Sequence, residues 1–490
     1  MQILKIFFQN IEERQIVFKN TFWSLLNKFL SYILRGLSLI VAARILGPSN
    51  YGIFSAVFSF CNIFRFFSDF GLTTTITKNV SEYREKRTLI FLNSFILFLL
   101  ISILSFLIAY FLFDLFLKPS LKSLFFVIFF GLILDLLREI ASSFLIGLEK
   151  MEIPSILKIL INLFSFLGVF FYLRKNPTPI NLGYIYFWIF LLGAIVILFF
   201  VFKHFNKLNL KDEVKISLKI ISYLFKDAWI FGLGNVLFFI NINLTILILS
   251  KIFDPKLVGI YSAALRFYEA LTVIPISFTA AILPTMIRKK EKIGIFLEKI
   301  LRIFHFIFWP LLFGSFLVGK DLIILLFGND YQQSFYPFLI LMLGFLFNSY
   351  ISLFITALTA IGKRKEMLIF DFLSIFIVII LSLILIPKFS IYGASFVHLL
   401  SFFVLYVFSN LTLKKFIKFN SMPKFLNYLL ASFLMAVFIY FLGIFNLEVF
   451  NFGILWSVIF KIFFGIIFYF SFMYLIKDEV ILDIKKLRNY

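Results

Sequence analysis

Residues 44–60 read RILGPSNYGIFSAVFSF, and residues 251–267 read KIFDPKLVGIYSAALRF, which repeats the same pattern without a gap. Each copy is a short turn that contains a proline, starts with a basic residue and lies between two long apolar runs. An internal repeat of this kind predicts two structurally related halves, an arrangement that is common among membrane transporters. The shared positions are Ile45, Pro48, Gly52, Ile53, Ser55, Ala56 and Phe60 in the first copy, and Ile252, Pro255, Gly259, Ile260, Ser262, Ala263 and Phe267 in the second.

The composition indicates a chain that folds in a lipid bilayer. Of its 490 residues, 62% are hydrophobic and only 15% are charged, which lies well outside the balance of soluble domains. Apolar windows of about 20 residues predict about fourteen transmembrane helices. They are 22–42, 51–71, 89–113, 121–145, 154–173, 180–202, 227–250, 258–285, 295–318, 335–360, 367–387, 390–412, 425–445 and 453–476.

Cysteine, histidine and the N-terminal charges exclude several features. A single cysteine, Cys61, cannot form a disulfide within the chain. His204, His305 and His398 are too scattered to suggest a metal site, and we expect neither a metal nor another cofactor. Charged residues between positions 5 and 19 precede the first apolar run, so no cleavable signal peptide is expected. The first run is therefore predicted to remain as a membrane anchor.

Basic residues predict the orientation of the chain. With the N-terminus inside, most lysines and arginines fall in loops on the cytoplasmic side, and an even number of spans places both termini in the cytoplasm of a multi-pass inner (cytoplasmic) membrane protein. Contacts of these loops with anionic membrane lipids account for the net charge of +22 without a nucleic-acid partner. The clusters are Lys78/Arg84/Lys86/Arg87, Arg288/Lys289/Lys290/Lys292, Lys363/Arg364/Lys365, Lys414/Lys415/Lys418 and Lys485/Lys486/Arg488.

The repeat also gives the order of the spans. The first copy joins spans one and two, the second joins spans seven and eight, and a weaker pair, Ile146-Gly147 and Ile361-Gly362, follows spans four and ten. We therefore predict an all-α polytopic fold of two six-helix bundles, related by a pseudo-two-fold axis along the membrane normal, with a cavity between them. The predicted parts are an N-terminal bundle at 1–210, a C-terminal bundle at 211–418, and two further helices with a cytoplasmic tail at 419–490.

Several segments, taken in their order along the chain, resemble one protein family. The ILGPSNYG turn, the Asp69-Phe70-Gly71-Leu72 end of span two, VGIYSAALRFYEALTVIP at 258–275 and IPKFSIYGASF at 386–396 resemble the Wzx-type polysaccharide-biosynthesis flippases. That family belongs to the superfamily of MATE-type antiporters and the lipid II flippase, so the resemblance implies a MATE-like fold. It also implies movement of an undecaprenyl-diphosphate-linked oligosaccharide, such as an O-antigen, capsule or exopolysaccharide repeat unit, from the inner to the outer leaflet by alternating access. Polymerase and export proteins of the same pathway are the expected partners of a monomer.

One position departs from the family pattern. Many relatives place an acidic residue in span seven, where this chain has Asn241 and Asn243. A carboxylate-based coupling site at that position is therefore not expected.

Charged residues inside the predicted spans are the candidate functional residues, because each costs about 2.5–3.5 kcal/mol at mid-bilayer. Four arginines lie deep, and the planar guanidinium suits phosphate oxygens; we predict that they line a cationic substrate cavity. These are Arg35, Arg65, Arg138 and Arg266. The candidate coupling or charge-pair residues are Asp69, Asp135, Glu139, Glu269 and Asp371.

The same charges have a structural interpretation. Arg65/Asp69 and Asp135/Glu139 are spaced i,i+4 and Arg266/Glu269 i,i+3, so each pair shares a helix face, and the two pairs that contain an arginine can be self-neutralising. Lys28, Asp69, Lys158 and Asp371 lie near predicted cytoplasmic ends, from which side chains can extend to the interface. Lys461, in a span outside the repeat, is predicted to face lipid or the bundle.

The sequence favours one of three candidate functions. A lipid-linked oligosaccharide flippase fits the arginine excess and predicts that Arg35→Ala and Arg266→Ala abolish surface glycan. A MATE-type multidrug or cation antiporter is the alternative, although such a cavity should favour carboxylates over arginines. A membrane enzyme is disfavoured, since the chain has no Asp-x-Asp motif and no long outer loop.

Overall fold

The computed structural model describes residues 8, 10, 12–205, 216–449 and 453–482, and all regular structure among them is helical. Helices form here because a backbone in hydrocarbon must satisfy its own hydrogen bonds. The α-helices are α1 (Glu13–Asp69), α2 (Leu72–Glu82), α3 (Arg87–Phe116), α4 (Lys122–Gly147), α5 (Glu152–Gly168), α6 (Pro179–Phe205), α7 (Leu218–Ile252), α8 (Pro255–Arg288), α9 (Ile293–Phe327), α10 (Phe335–Ala360), α11 (Arg364–Lys414), α12 (Phe425–Val449) and α13 (Ile454–Leu475). Short 3-10 turns precede α3, α4, α9 and α10, and a π-helical turn, Val169–Leu173, continues α5.

The number of membrane crossings agrees with the prediction. Within the described ranges, 12 helical segments are long and apolar enough to cross a membrane. Two of these segments are broken by a residue with non-helical backbone angles, Gly47 in α1 and Ser390 in α11. Each broken segment provides two crossings, so the twelve segments supply the fourteen predicted spans, and the all-α polytopic fold is confirmed.

Both copies of the repeated turn start a helix at their proline. Gly47 has a φ of 70°, a left-handed conformation that glycine adopts without steric cost, and Pro48 opens the second segment of α1. In the second copy, α7 ends at Ile252 and α8 begins at Pro255. Proline is suited to a first helical turn because its missing N–H would have no partner there and its φ is already helical. Farther along α8, the helix continues without a break through Pro275 and Pro284.

The chain separates into two compact units, Met1–Gly259 and Ile260–Tyr490. The first unit contains α1 to α7 and the first turn of α8, so it includes α7, the helix that the repeat assigns to the second half. The predicted boundary at 210/211 lies outside the described residues, as does the basic cluster at 485–488. Phe91, Phe144 and Phe205 form part of an apolar core built by α2 to α7.

The second unit holds the two additional helices against α9. Phe306, Tyr428, Met435 and Tyr469 belong to a core shared by α9, α12 and α13. The Tyr469 hydroxyl donates a hydrogen bond of 3.0 Å to the Phe306 carbonyl oxygen.

Charged groups tie α13 and the chain after it to the same helices. Lys461 Nζ lies 2.8 Å from Asp321 Oδ2 on α9, and its side chain is 15% exposed, so it faces the helices and not lipid. Beyond α13, Glu479 pairs with Lys424 at 2.7 Å and with Arg302. The last two helices are thus attached to α9 through ion pairs near both ends of α13.

Candidate functional site

Five charged side chains from three helices form one ion-pair network in the first unit. Arg65 comes from the second segment of α1, Asp135, Arg138 and Glu139 come from α4, and Lys158 comes from α5. The α4 residues share a helix face because they are three and four positions apart. We call these five residues the Arg65 network.

Arg65 joins α1 to α4. Its Nη2 lies 2.6 Å from Glu139 Oε2 and 3.2 Å from Asp135 Oδ2. The guanidinium also lies over the ring of Phe66, with Cζ 5.0 Å from the ring centroid. Its Nε is buried and has no hydrogen-bond partner among the described residues, so one donor of the fork is unused.

Arg138 closes the network from the buried side. Its Nη2 and Nε lie 2.7 and 2.9 Å from Asp135 Oδ1, and Nη2 lies 3.3 Å from Glu139 Oε1. The side chain of Arg138 is only 3% exposed. Its stem packs against α6, where a Cβ built on Gly193 would lie at van der Waals distance, 3.4 Å, from Arg138 Cδ. The Arg138 guanidinium is therefore buried, and two carboxylates balance its charge.

The opposite side of the network is open. Lys158 Nζ lies 3.5 Å from Glu139 Oε1, and the side chains of these residues are 40% and 28% exposed. Within these five residues, three cations and two carboxylates leave a formal excess of one positive charge, which the nearby Asp69 carboxylate partly offsets. An open side with spare positive charge is a site at which an anion can enter and compete with Glu139 for Arg65.

Asp69 has a different partner from the one that its spacing suggests. Its carboxylate accepts hydrogen bonds from the backbone N–H of Thr73 at 3.1 Å and from the Thr73 hydroxyl at 3.3 Å. It therefore caps the start of α2, where the first backbone N–H groups have no helical acceptor. The ion pairs of Arg65 are made with α4.

The arginine of the second unit has a local partner. Arg266 Nη1 lies 2.7 Å from Glu269 Oε2, three positions later on α8, as the i,i+3 spacing suggests. Next to this pair, the Tyr268 hydroxyl accepts a hydrogen bond of 3.1 Å from the Asn348 side chain on α10.

Two predicted residues stand apart from these clusters. Arg35 is exposed on the first segment of α1. Asp371 is partly buried on α11. Neither has an ion-pair partner within the part of the chain that the structure describes.

A large apolar cavity lies in the second unit, between α8, α9, α10, α12 and α13. Its volume is about 390 Å³, and its lining includes Leu271, Pro310, Met342, Ile439 and Tyr469. This size is within the range of small-molecule sites, and the lining is suited to a hydrocarbon chain.

A second polar cluster was not predicted from the sequence. Asp227, in the third turn of α7, lies 3.0 Å from Lys78 Nζ and accepts a hydrogen bond of 3.0 Å from the Asn79 side chain, both on α2. In the sequence, this cluster is indicated by an isolated aspartate, Asp227, beside a basic loop. Among the described residues, no group of three or more His, Cys, Asp or Glu side chains could hold a metal ion.

The chain is similar in sequence or in fold to several known transport proteins. A putative O-antigen transporter of Shigella flexneri is 24% identical over 374 residues, which are 71% of this chain and 86% of that protein. The lipid II flippase MurJ, in an inward closed conformation, has a TM-score of 0.75 at 19% identity and covers 94% of this chain and 100% of its own. An outward-facing multidrug resistance MATE family transporter of the MOP superfamily has a TM-score of 0.57 at 14% identity, covering 85% and 100%.

These structural likenesses establish a MATE-like, MurJ-like fold, since the identities are too low for more. The family itself is identified by sequence. The profile of the polysaccharide biosynthesis protein family matches residues 17–290, a range that includes the whole Arg65 network and both copies of the repeated turn. This multi-pass membrane protein therefore belongs to the polysaccharide biosynthesis protein family.

Proposed function

We propose that the protein is a flippase that moves an undecaprenyl-diphosphate-linked oligosaccharide from the inner to the outer leaflet by alternating access. The observation that carries the proposal is the Arg65 network. It presents positive charge within the membrane, in a chain whose curated relative is a putative O-antigen transporter.

The network can receive a diphosphate by exchange of partners. Arg65 is held by Glu139 at 2.6 Å and has an unused Nε donor, and Lys158 is 40% exposed beside the same carboxylate. A diphosphate that enters from this side can bind Arg65 and Lys158 while Asp135 continues to balance Arg138. Charge-assisted hydrogen bonds to phosphate are strong. When the diphosphate replaces Glu139 as the partner of Arg65, each arginine of the network therefore still has an anionic partner. The proposal assigns Arg35 and Arg266 to the substrate as well.

The apolar cavity of the second unit supports a lipid-linked substrate. Its lining is apolar around about 390 Å³, which suits part of an isoprenoid chain. The rest of a long chain would remain in the bilayer, where it costs no desolvation.

The membrane potential can drive this reaction without ATP. A diphosphate carries two negative charges, and an inside-negative potential favours its outward movement, which releases about 2.3 kcal/mol per charge for each 100 mV crossed. We further propose that both termini are cytoplasmic, that the membrane is the inner (cytoplasmic) one, and that the protein acts as a monomer beside the polymerase and export proteins of its pathway.

The fold is shared with MATE transporters, so multidrug or cation antiport is the second candidate. A cation site needs carboxylates that can accept a cation. Asp135 and Glu139 supply two, but both are bound by arginines at 3.3 Å or less. Because both carboxylates are already paired with arginines, the site favours an anionic substrate over a cation.

Complementation of a deletion strain tests the flippase. Arg65→Ala should abolish surface glycan and cause the labelled lipid-linked oligosaccharide to accumulate on the inner leaflet, while membrane insertion is maintained. Arg65→Lys should restore part of the export, since a cation remains. Lys122→Ala is the matched control because it removes one cation whose partner, Asp114, is 50% exposed. Normal surface glycan in Arg65→Ala, or a deletion strain sensitive to ethidium or norfloxacin with glycan intact, would overturn the proposal.

A further inference from the structure

The two copies of the repeated turn touch each other through their glycines. A Cβ built on Gly52 would lie 2.7 Å from the Gly259 nitrogen and 2.8 Å from the Pro255 carbonyl carbon, and closer still to that carbonyl oxygen. A Cβ built on Gly259 would lie 3.1 Å from the Gly52 nitrogen and 2.8 Å from the Pro48 carbonyl carbon, and again closer to the oxygen. All four residues belong to the first unit. We call this reciprocal contact of Pro48, Gly52, Pro255 and Gly259 the glycine clasp.

The clasp brings two helix starts into backbone contact. Each glycine lies four positions after its own proline, one turn into the helix that the proline opens. The direction of a built Cβ is also the direction of a glycine Cα–H bond, so each Cα–H points to the carbonyl of the other turn, a weak hydrogen-bond geometry. No side chain larger than hydrogen can occupy either position while the helix starts are in this arrangement.

Helix α7 also contacts α1 and α2 away from the clasp. The rings of Phe66 and Phe239 stack with centroids 3.2 Å apart, and a Cβ on Gly232 would lie 2.9 Å from Phe70 Cα. Near its start, α7 is held by the contacts of Asp227 with Lys78 and Asn79.

Different kinds of contact hold α7 and the start of α8. Asp227 on α7 makes an ion pair and a hydrogen bond with α2, whereas the clasp consists of close packing and weak Cα–H contacts between backbone atoms.

We propose that the glycine clasp is a steric closure that is shut in the conformation described here and opens during the transport cycle. This closure concerns which conformations the chain adopts, and it does not depend on which substrate the protein carries. An added methyl group at either glycine is compatible only with the open arrangement. Gly52→Ala and Gly259→Ala should each shift the population toward the open state.

Cysteine accessibility measures this shift without any substrate. Ser55 and Ser59 lie three and seven positions after Gly52, on the same helix face, and are 2% and 0% exposed. In a Cys61→Ala background, Ser55→Cys or Ser59→Cys is labelled with a membrane-impermeant maleimide, in intact cells and in inverted vesicles. We expect labelling to be slow with both glycines present and about tenfold faster in either alanine variant, the effect of a steric cost of about 1.4 kcal/mol.

Gly36→Ala is the matched control, since it changes the same residue type in the same helix and its built Cβ has no neighbour within 4 Å. It should leave labelling unchanged. Equal labelling in the clasp variants and in Gly36→Ala would overturn the proposal. Failure of both Gly52→Ala and Gly259→Ala to insert would do so too, because a contact that opens must allow an open folded state. Faster labelling supports the clasp even if Arg65→Ala exports glycan normally, so the two proposals fail separately.

Discussion

Arg65 in the first unit and Arg266 in the second differ in how their charge is held. Arg65 pairs with two carboxylates on another helix, 70 and 74 positions away, inside a five-member network. Arg266 pairs with Glu269 on its own helix, three positions away. The Arg65 network includes contacts between α1, α4 and α5, so its charges are linked to the packing of these helices, whereas the Arg266–Glu269 pair lies within α8.

Arg65→Ala should give the largest effect. It leaves Glu139 with the weaker partners Arg138 and Lys158, and removal of one member of a buried pair typically costs about 3–5 kcal/mol. We expect a markedly lower melting temperature in detergent, together with the loss of surface glycan. A melting temperature equal to that of the unmodified protein would show that the network does not stabilise the packing of α1 on α4.

A double-mutant cycle on Arg138 and Asp135 comes next. Arg138→Met and Asp135→Asn should each destabilise the protein, and the double variant less than their sum, with a coupling of about 0.5–3 kcal/mol. The same cycle on Arg266 and Glu269 provides the comparison, since both pairs are spaced i,i+3 on one helix, and it should give a smaller coupling because Arg266 is 14% exposed and Arg138 only 3%. Equal couplings would show that the deeper burial of Arg138 adds nothing to its pair with Asp135.

Lys158→Met should have a smaller effect on stability. The lysine is 40% exposed and 3.5 Å from Glu139, and exposed ion pairs contribute about 0–1 kcal/mol. Export should nevertheless fall, because the open side of the network loses its spare positive charge. Lys158→Arg, which keeps that charge, should retain export; equal export by the methionine and arginine variants would contradict the role assigned to this side.

Arg266→Ala should have the smallest effect on stability. Pairs within one helix contribute about 0.2–0.5 kcal/mol, so the melting temperature should change little. If Arg266 contacts the substrate, surface glycan is lost despite this normal stability. A variant that is both stable and fully active would assign Arg266 to helix packing alone.

Much of the fold was predictable because helix length and apolar runs are local properties. The break at Gly47 falls between predicted spans one and two, and the break at Ser390 falls on the first residue of predicted span twelve. Pro48 and Pro255 fixed where the following helices start. These features depend on residues adjacent in the sequence.

The ion-pair partners were less predictable because they depend on which helices are neighbours. The i,i+4 spacing suggested Arg65 with Asp69, but Asp69 caps α2 through Thr73 and Arg65 bonds with α4. The i,i+3 pair of Arg266 and Glu269 formed as its spacing suggests. For Lys461, the partner Asp321 is 140 positions away, and no pattern in the sequence connects the two.

The contact between Gly52 and Gly259 gives the internal repeat a physical consequence. Duplicated segments that lie far apart can change independently, since each responds only to its own surroundings. Here each copy forms part of the surroundings of the other, and a methyl group added to one would collide with the backbone of its twin. The contact between the two turns therefore helps to keep their sequences similar, since a change in either copy has to be compatible with both.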